Sequence, residues 1–271
     1  MMRKKFEIGI LLFAAFIVSN CGAQKSIEHL EKRTKVTIVE GNIVYPLIGI
    51  SGSDTSILSL SYQFYNLDKS NRGSEEFYKD SINLRIREFV QLITEFERGE
   101  NSDIVDDHFF TAQLDSFAQI YFNEEDENSN LWDLEATIEI EDTYSNFVAL
   151  TFSGWSYTGG AHGNGFVSTH MIDKTDGRLL GLPDFIINVE ELNKIAEPIF
   201  RKANNLQPNE NLDDAGYWFP DSRFSVNDNF YFSDEMMVFY YNTYEIAPYS
   251  GGPTELIVPI TEIKHLLKRK N

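Results

Sequence analysis

The residues with the most chemical character fall in one stretch, Trp155-Ser156-Tyr157-Thr158-Gly159-Gly160-Ala161-His162-Gly163-Asn164-Gly165. It sets two hydroxyls, Ser156 and Thr158, near the imidazole of His162. Such a trio could serve nucleophilic acyl transfer if a carboxylate oriented the histidine, but no carboxylate stands out as that third member. The five histidines are His29, His108, His162, His170 and His265, and none stands four residues from another as a helical metal pair would. His162 and His170 are eight apart with a loop end between them. No P-loop, dinucleotide fingerprint, nucleophile elbow or zinc spacing is present. The acidic run Glu124-Glu125-Asp126-Glu127 lacks the alternating Asp/Asn, the central Gly and the terminal Glu of a calcium loop. The expectation is a non-catalytic protein without cofactor or metal. A hydrolase using His162 is the enzymatic alternative.

Binding chemistry suits these residues better. Tyrosine and tryptophan in polar Gly/Pro-rich loops offer rigid rings with a polar tip, the groups that protein interfaces and sugar-stacking surfaces use. Two loops have this make-up. The first contributes Tyr157, Thr158, Gly159, Gly160, His162 and Asn164. The second, Tyr244-Glu245-Ile246-Ala247-Pro248-Tyr249-Ser250-Gly251-Gly252-Pro253, contributes Tyr244 and Tyr249. Trp155 and Trp218 are further loop aromatics. Each loop ends a strand-like run, so the two are expected side by side at one end of a sheet, where binding residues gather. His162 is expected to bond a loop carbonyl or a tyrosine hydroxyl. The plain alternative is turn chemistry alone, with glycines serving a tight hairpin.

The elements that must hold these loops read as a mixed chain. Val36 to Ile50 alternates apolar and polar residues around Pro46, which predicts an edge strand. Ile57 to Asn66 alternates again. Ser74 begins an N-cap signal, and Phe77, Ile82, Ile86, Phe89, Val90, Ile93 and Phe96 then recur at helical spacing. A second helix is expected over Asp103 to Tyr121. From Leu131 the chain turns strand-rich: Leu131 to Tyr144, Asn146 to Tyr157 and Phe166 to Asp173. A third helix follows over Val189 to Ala203, then a hairpin of Phe224 to Phe232 and Met236 to Tyr241. Glu255 to Ile260 is a strand, and Thr261 to Lys270 a closing helix. The fold class expected is α+β. A mixed, mostly antiparallel sheet is expected to carry most of Leu131 to Ile260, with two long helices in the N-terminal half and shorter helices later. An all-β sandwich with inserted helices is the runner-up.

The N-terminus has a different purpose. Arg3, Lys4 and Lys5 precede an apolar run from Ile8 to Val18, too short for the roughly 20 residues of a membrane span. That is a secretory signal of residues 1–20. It ends at Val18-Ser19-Asn20-Cys21, similar to a bacterial lipobox, although Asn20 replaces the usual Gly or Ala. Cys21 is the single cysteine of the chain, so no internal disulfide can form and lipid attachment gives the thiol a purpose. Residues 21–35 would be a tether, 36–130 an N-terminal companion region and 131–271 a C-terminal sheet-rich domain. The expected location is the cell envelope, on a bacterial membrane and facing the periplasm or the exterior. The formal charge is −19, and loss of Arg3, Lys4, Lys5 and Glu7 removes a net +2, leaving −21. Such a chain repels nucleic acid and favours a basic partner.

Tyr157-Thr158-Gly159-Gly160-Ala161-His162-Gly163-Asn164, the Asp173 to Leu182 segment, Tyr231 to Val238 and Tyr244 to Tyr249 together resemble an uncharacterised extracytoplasmic domain. It is the domain of RsiV-type anti-sigma factors and of the non-catalytic N-terminal region of PdaC-type peptidoglycan deacetylases. Val36 to Asn130 looks like its N-terminal companion. The resemblance implies an α+β fold and, from the RsiV-type relatives, binding of lysozyme. No sigma-binding segment or deacetylase module is seen, so neither of those roles carries over. The expectation is a lipid-anchored binding domain for a basic muramidase or other envelope protein, or for cell-wall glycan such as peptidoglycan fragments. A structural envelope lipoprotein without a specific ligand is the alternative.

Overall fold

A computed structural model describes residues 38–48, 55–67, 77–94, 105–124 and 132–268. The signal segment, Cys21, the Ser74 cap and most of the acidic run lie outside the described residues. Among the described residues no helix is long and apolar enough to cross a membrane.

Two alternating strands, β1 (Ile38–Ile48) and β2 (Thr55–Tyr65), pair antiparallel along their full length. The chain then makes two helices, α1 (Phe77–Ile93) and α2 (Asp107–Glu124), before β3 (Asp133–Glu141). This crossover brings β3 alongside β2 in parallel, with Leu58 opposite Leu134 and Ser61 opposite Thr137. Parallel neighbours need such a long connection. β4 (Phe147–Tyr157), β5 (Asn164–Asp173) and the short β6 (Leu179–Leu180) follow antiparallel, giving the order β1-β2-β3-β4-β5-β6. β1 with its Pro46 is the edge strand among the described residues. α1 and α2 cover one face: Ile82, Ile86 and Val90 of α1 and Phe110, Leu114 and Phe117 of α2 join Leu60, Ile138 and Leu150 in one core. Each such buried side chain contributes about 1.5–3 kcal/mol. Buried Asn83 of α1 closes the end of β2, accepting from the Tyr65 N–H at 3.0 Å and donating to the Tyr65 carbonyl at 2.7 Å.

A second core lies under α3 (Leu182–Phe185) and α4 (Val189–Ala203). α4 starts where Asn188 caps the Glu191 N–H, ends with Arg201 and Lys202 in its last turn, and buries Leu192, Ala196 and Phe200 on one stripe. It packs on β7 (Phe230–Ser233), β8 (Met236–Tyr241) and β9 (Thr254–Pro259), an antiparallel three-stranded sheet.

The architecture is thus α+β and mostly antiparallel, with one departure from the expected single sheet over Leu131 to Ile260. β7–β9 do not extend the six-stranded sheet. The open edge of β5 is met by side chains in place of a strand. Asn242 accepts from the Val167 N–H at 2.8 Å and donates to the Val167 carbonyl at 3.0 Å. Asn229 accepts from the Thr169 N–H at 2.9 Å and donates to the Val167 carbonyl at 2.8 Å. The two carboxamides satisfy the edge of β5. The closing helix is also shorter than expected. α5 is only Ile260–Ile263, because the following backbone bonds to the α3 region, with Ile187 N–H donating to Leu266 and Lys268 N–H to Phe185.

Candidate binding site at the β4–β5 tip

The β4–β5 connection is built by glycine. Ser156 opposite Asn164 is the last pair of the ladder. Gly159 and Gly160 then take φ of 102° and 94°, a left-handed region closed to most side chains. The Tyr157 hydroxyl donates to the Gly160 carbonyl at 3.0 Å and fixes the turn from inside. Thr158, His162 and Asn164 are exposed on it, while Gly163 is buried. A Cβ on Gly163 would stand 2.2 Å from the Trp155 indole, so only glycine lets the ring sit there.

The second loop leaves β8 after Tyr241. Its start is held by Glu245, whose carboxylate accepts from the Asn242 N–H at 2.8 Å and from the Asn227 carboxamide at 2.6 Å. Buried Ile246 and Ala247 anchor its middle, and the Trp218 N–H donates to the Ile246 carbonyl at 3.0 Å. Tyr244 takes φ of 70°, unusual for an aromatic residue and of order 1–3 kcal/mol in strain. Tyr244 is 51% exposed and Tyr249 36% exposed.

The two loops meet at His162. Its ring stacks on Tyr249 with centroids 3.6 Å apart and planes 20° from parallel. Its Nε2 lies 3.1 Å from the Tyr244 hydroxyl and its Nδ1 lies 3.2 Å from the Gly163 carbonyl. The tautomer with the proton on Nδ1 fits this pairing, donating to the carbonyl and accepting from the tyrosine. The Tyr249 hydroxyl donates to the same Gly163 carbonyl at 2.9 Å. Tyr244 and Tyr249 are tilted neighbours at 5.6 Å. His162 thus spends Nε2 on the second loop and Nδ1 on the carbonyl of its own neighbour Gly163.

Of the residues singled out from the sequence, Tyr157, Gly159, Gly160, His162, Tyr244 and Tyr249 converge on this tip. Thr158 and Asn164 flank it, exposed. Cys21 lies outside the described residues. His170 lies elsewhere, on β5 against Phe152, where burial and then the nearby Arg85 charge hold its pKa below the ordinary histidine value. Sequence reasoning missed the positioning residues. Asn229, Asn242 and Gly163 each act through a contact distant in sequence or packed across strands, and an isolated asparagine after a strand run signals only a turn.

Residues 184–261 match DUF3298, described as a protein family of unknown function. No curated protein matches the chain. Among solved structures, a DUF3298-family member from Bacteroides fragilis NCTC 9343 is similar with a TM-score of 0.63 at 19% identity, over 87% of this chain and 94% of its own. A DUF3298-family protein from Pseudomonas aeruginosa PAO1 is similar with a TM-score of 0.57 at 17% identity, over 86% of this chain and 94% of its own. The chain therefore shares the fold of DUF3298-family structures, and its 184–261 segment carries the sequence pattern of that family.

Proposed function

We propose that this protein is a non-catalytic binding domain of the bacterial cell envelope, anchored by lipid on Cys21, whose β4–β5 tip captures a basic extracytoplasmic protein of the lysozyme type. The observation that carries the reading is the convergence of His162, Tyr244 and Tyr249 into one exposed, preordered aromatic cluster. Ordered aromatic rings that lose little freedom on contact are the usual anchors of an interface. The use of both His162 nitrogens in loop contacts supports a structural role for that histidine over a general-base role. A formal charge of −19 supports a basic partner, and the resemblance to RsiV-type ectodomains supports a muramidase. Anchoring rests on the signal-like segment and the single cysteine.

Two measurements test the reading. Palmitate labelling of cells producing the wild type or Cys21→Ser should mark only the wild type; equal labelling of both removes the anchor. A pull-down with the full chain should retain a basic muramidase at low salt and lose part of it at high salt. Retention of none, or of acidic and basic proteins alike, removes the partner.

A further inference from the structure

The face of the six-stranded sheet opposite α1 and α2 meets the second core toward one end of β4 and β5, at Phe147, Ala149 and Met171, and Thr169 beside them is buried. Among the described residues no element covers the rest of it, and its composition is unusual. β1, β2, β3 and β4 contain no lysine or arginine, and they contain Glu40, Asp133, Glu135, Glu139 and Glu141. The ladders place the outward residues in rows. One row runs Val44, Ser59, Glu135, Trp155, and the next runs Asn42, Ser61, Thr137, Ser153.

Trp155 and Tyr157 project from the same face of β4 with ring centroids 6.4 Å apart and planes 19° from parallel. That spacing equals about one two-residue advance along a strand, roughly 6.6–6.8 Å, so the rings lie side by side along β4. The Trp155 indole is backed by Gly163 and Gly165, which have no side chain to lift it, and it remains 39% exposed. Beside this pair stand the Glu135 carboxylate and a row of hydroxyls. Further along the same face, where β2 and β3 diverge beyond Ser61, an open groove of about 520 Å³ is lined by Gln63, Glu139, Glu141 and Thr151 among others.

We infer that this face is a glycan-binding strip, with Trp155 and Tyr157 as the stacking platform and Glu135, Ser59, Thr137 and Ser153 as partners for sugar hydroxyls. The occupant is a neutral β-linked hexose or N-acetylhexosamine chain. An aromatic face attracts the apolar C–H face of a pyranose, and carboxylate and hydroxyl side chains supply acceptors and donors for its ring substituents. The absence of any cation on β1–β4 disfavours a polyanionic polysaccharide. The strip adjoins the His162 tip but uses a different face of β4, and it does not depend on capture of a basic protein.

The test is isothermal titration of the full chain with the N-acetylglucosamine hexamer (β-1,4-linked), cellohexaose and polygalacturonate. The expected result is saturable binding of at least one neutral oligosaccharide and none of polygalacturonate. Trp155→Ala should weaken it at least tenfold, and Trp155→Phe should restore most of it. Should Trp155→Ala fail to fold, Glu135→Ala decides: a severalfold loss supports the strip and an unchanged affinity overturns it. No binding of either neutral chain at millimolar concentration overturns it. So does equal binding by wild type and a folded Trp155→Ala, or a loss caused by Tyr249→Ala alone, which would place the sugar at the tip. If Trp155→Ala abolishes capture of a basic muramidase while no glycan binds, the strip belongs to the protein interface and the inference falls.

Discussion

Strand β4 passes through two environments within eleven residues. From Val148 to Leu150 it is buried on both faces, Val148 and Leu150 under the helices and Ala149 under the second core. From Trp155 to Tyr157 one face is open, and the strand ends in the loop that His162 ties to Tyr244 and Tyr249. The difference separates the end of the strand that carries stability from the end left free for contact. A strand clamped between two cores is a rigid base, and side chains at its free end can be held in place without being covered.

The contrast is broken most severely at the buried end. Leu150→Ala removes a fully buried side chain and should cost about 2–5 kcal/mol in denaturant unfolding. A cost under about 1 kcal/mol would mean that this end is no more a core than the other. At the open end, two glycines separate space from backbone conformation. Gly163→Ala places a Cβ 2.2 Å from the Trp155 ring and should cost about 1–3 kcal/mol through overpacking. Gly160→Val meets nothing within 4 Å, but its φ of 94° is strained for a β-branched residue, so it should cost about 1–2 kcal/mol. Thermal unfolding of both variants, with Gly160→Asn as a residue tolerant of positive φ, resolves the two causes. A neutral Gly160→Val would contradict the backbone assignment.

Much of this arrangement was legible from the chain. α4 was readable because Asn188, the Leu192–Ala196–Phe200 stripe and the terminal Arg201 and Lys202 all point to the same helix. The two aromatic loops meet as expected, but they end strands of two different sheets and not, as expected, of one. The split into two sheets was not readable, since alternation shows that a segment is a strand but not which ladder it joins. Asn229 bonds Val167 and Thr169 across 62 and 60 residues, and Asn242 bonds Val167 across 75, contacts that alternation does not show. The hairpin strand expected from Phe224 begins only at Phe230, as Asn227 and Asn229 are spent on side-chain bonds to the Tyr240 carbonyl and to β5.

That clamp gives a smaller prediction. Asn242→Ala should cost about 1–2 kcal/mol, because it leaves the Val167 N–H without its partner. The Val167 carbonyl keeps its bond from Asn229, so the group left bare is the Val167 N–H. The substitution should also loosen the second loop, seen as faster amide exchange at Tyr244 to Ser250. Loss of stability with unchanged exchange there would show that the clamp does not position the tip.

The smallest effect expected is a pH dependence from His170. Its folded pKa is held below the ordinary histidine value by burial first and by Arg85 second. The unfolded chain therefore binds the proton more readily. His170 contributes full stability above about pH 6.5, and that contribution is lost as pH falls below it. Stability measured from pH 8 to pH 5 should decline, and His170→Gln should flatten the decline. An unchanged slope in the variant would assign the acid sensitivity to other groups.

The central claim is that the tip at His162, Tyr244 and Tyr249 recognises a basic protein. The direct measurement is association and dissociation of a basic lysozyme with the full chain, comparing wild type with Tyr249→Ala and Tyr244→Ala over a salt series. Predicted are saturable binding, an association rate that falls as salt rises, and at least a tenfold faster dissociation in each variant with unfolding stability changed by less than about 1 kcal/mol. Binding of equal strength in wild type and both folded variants, or no binding at low salt, would contradict the account.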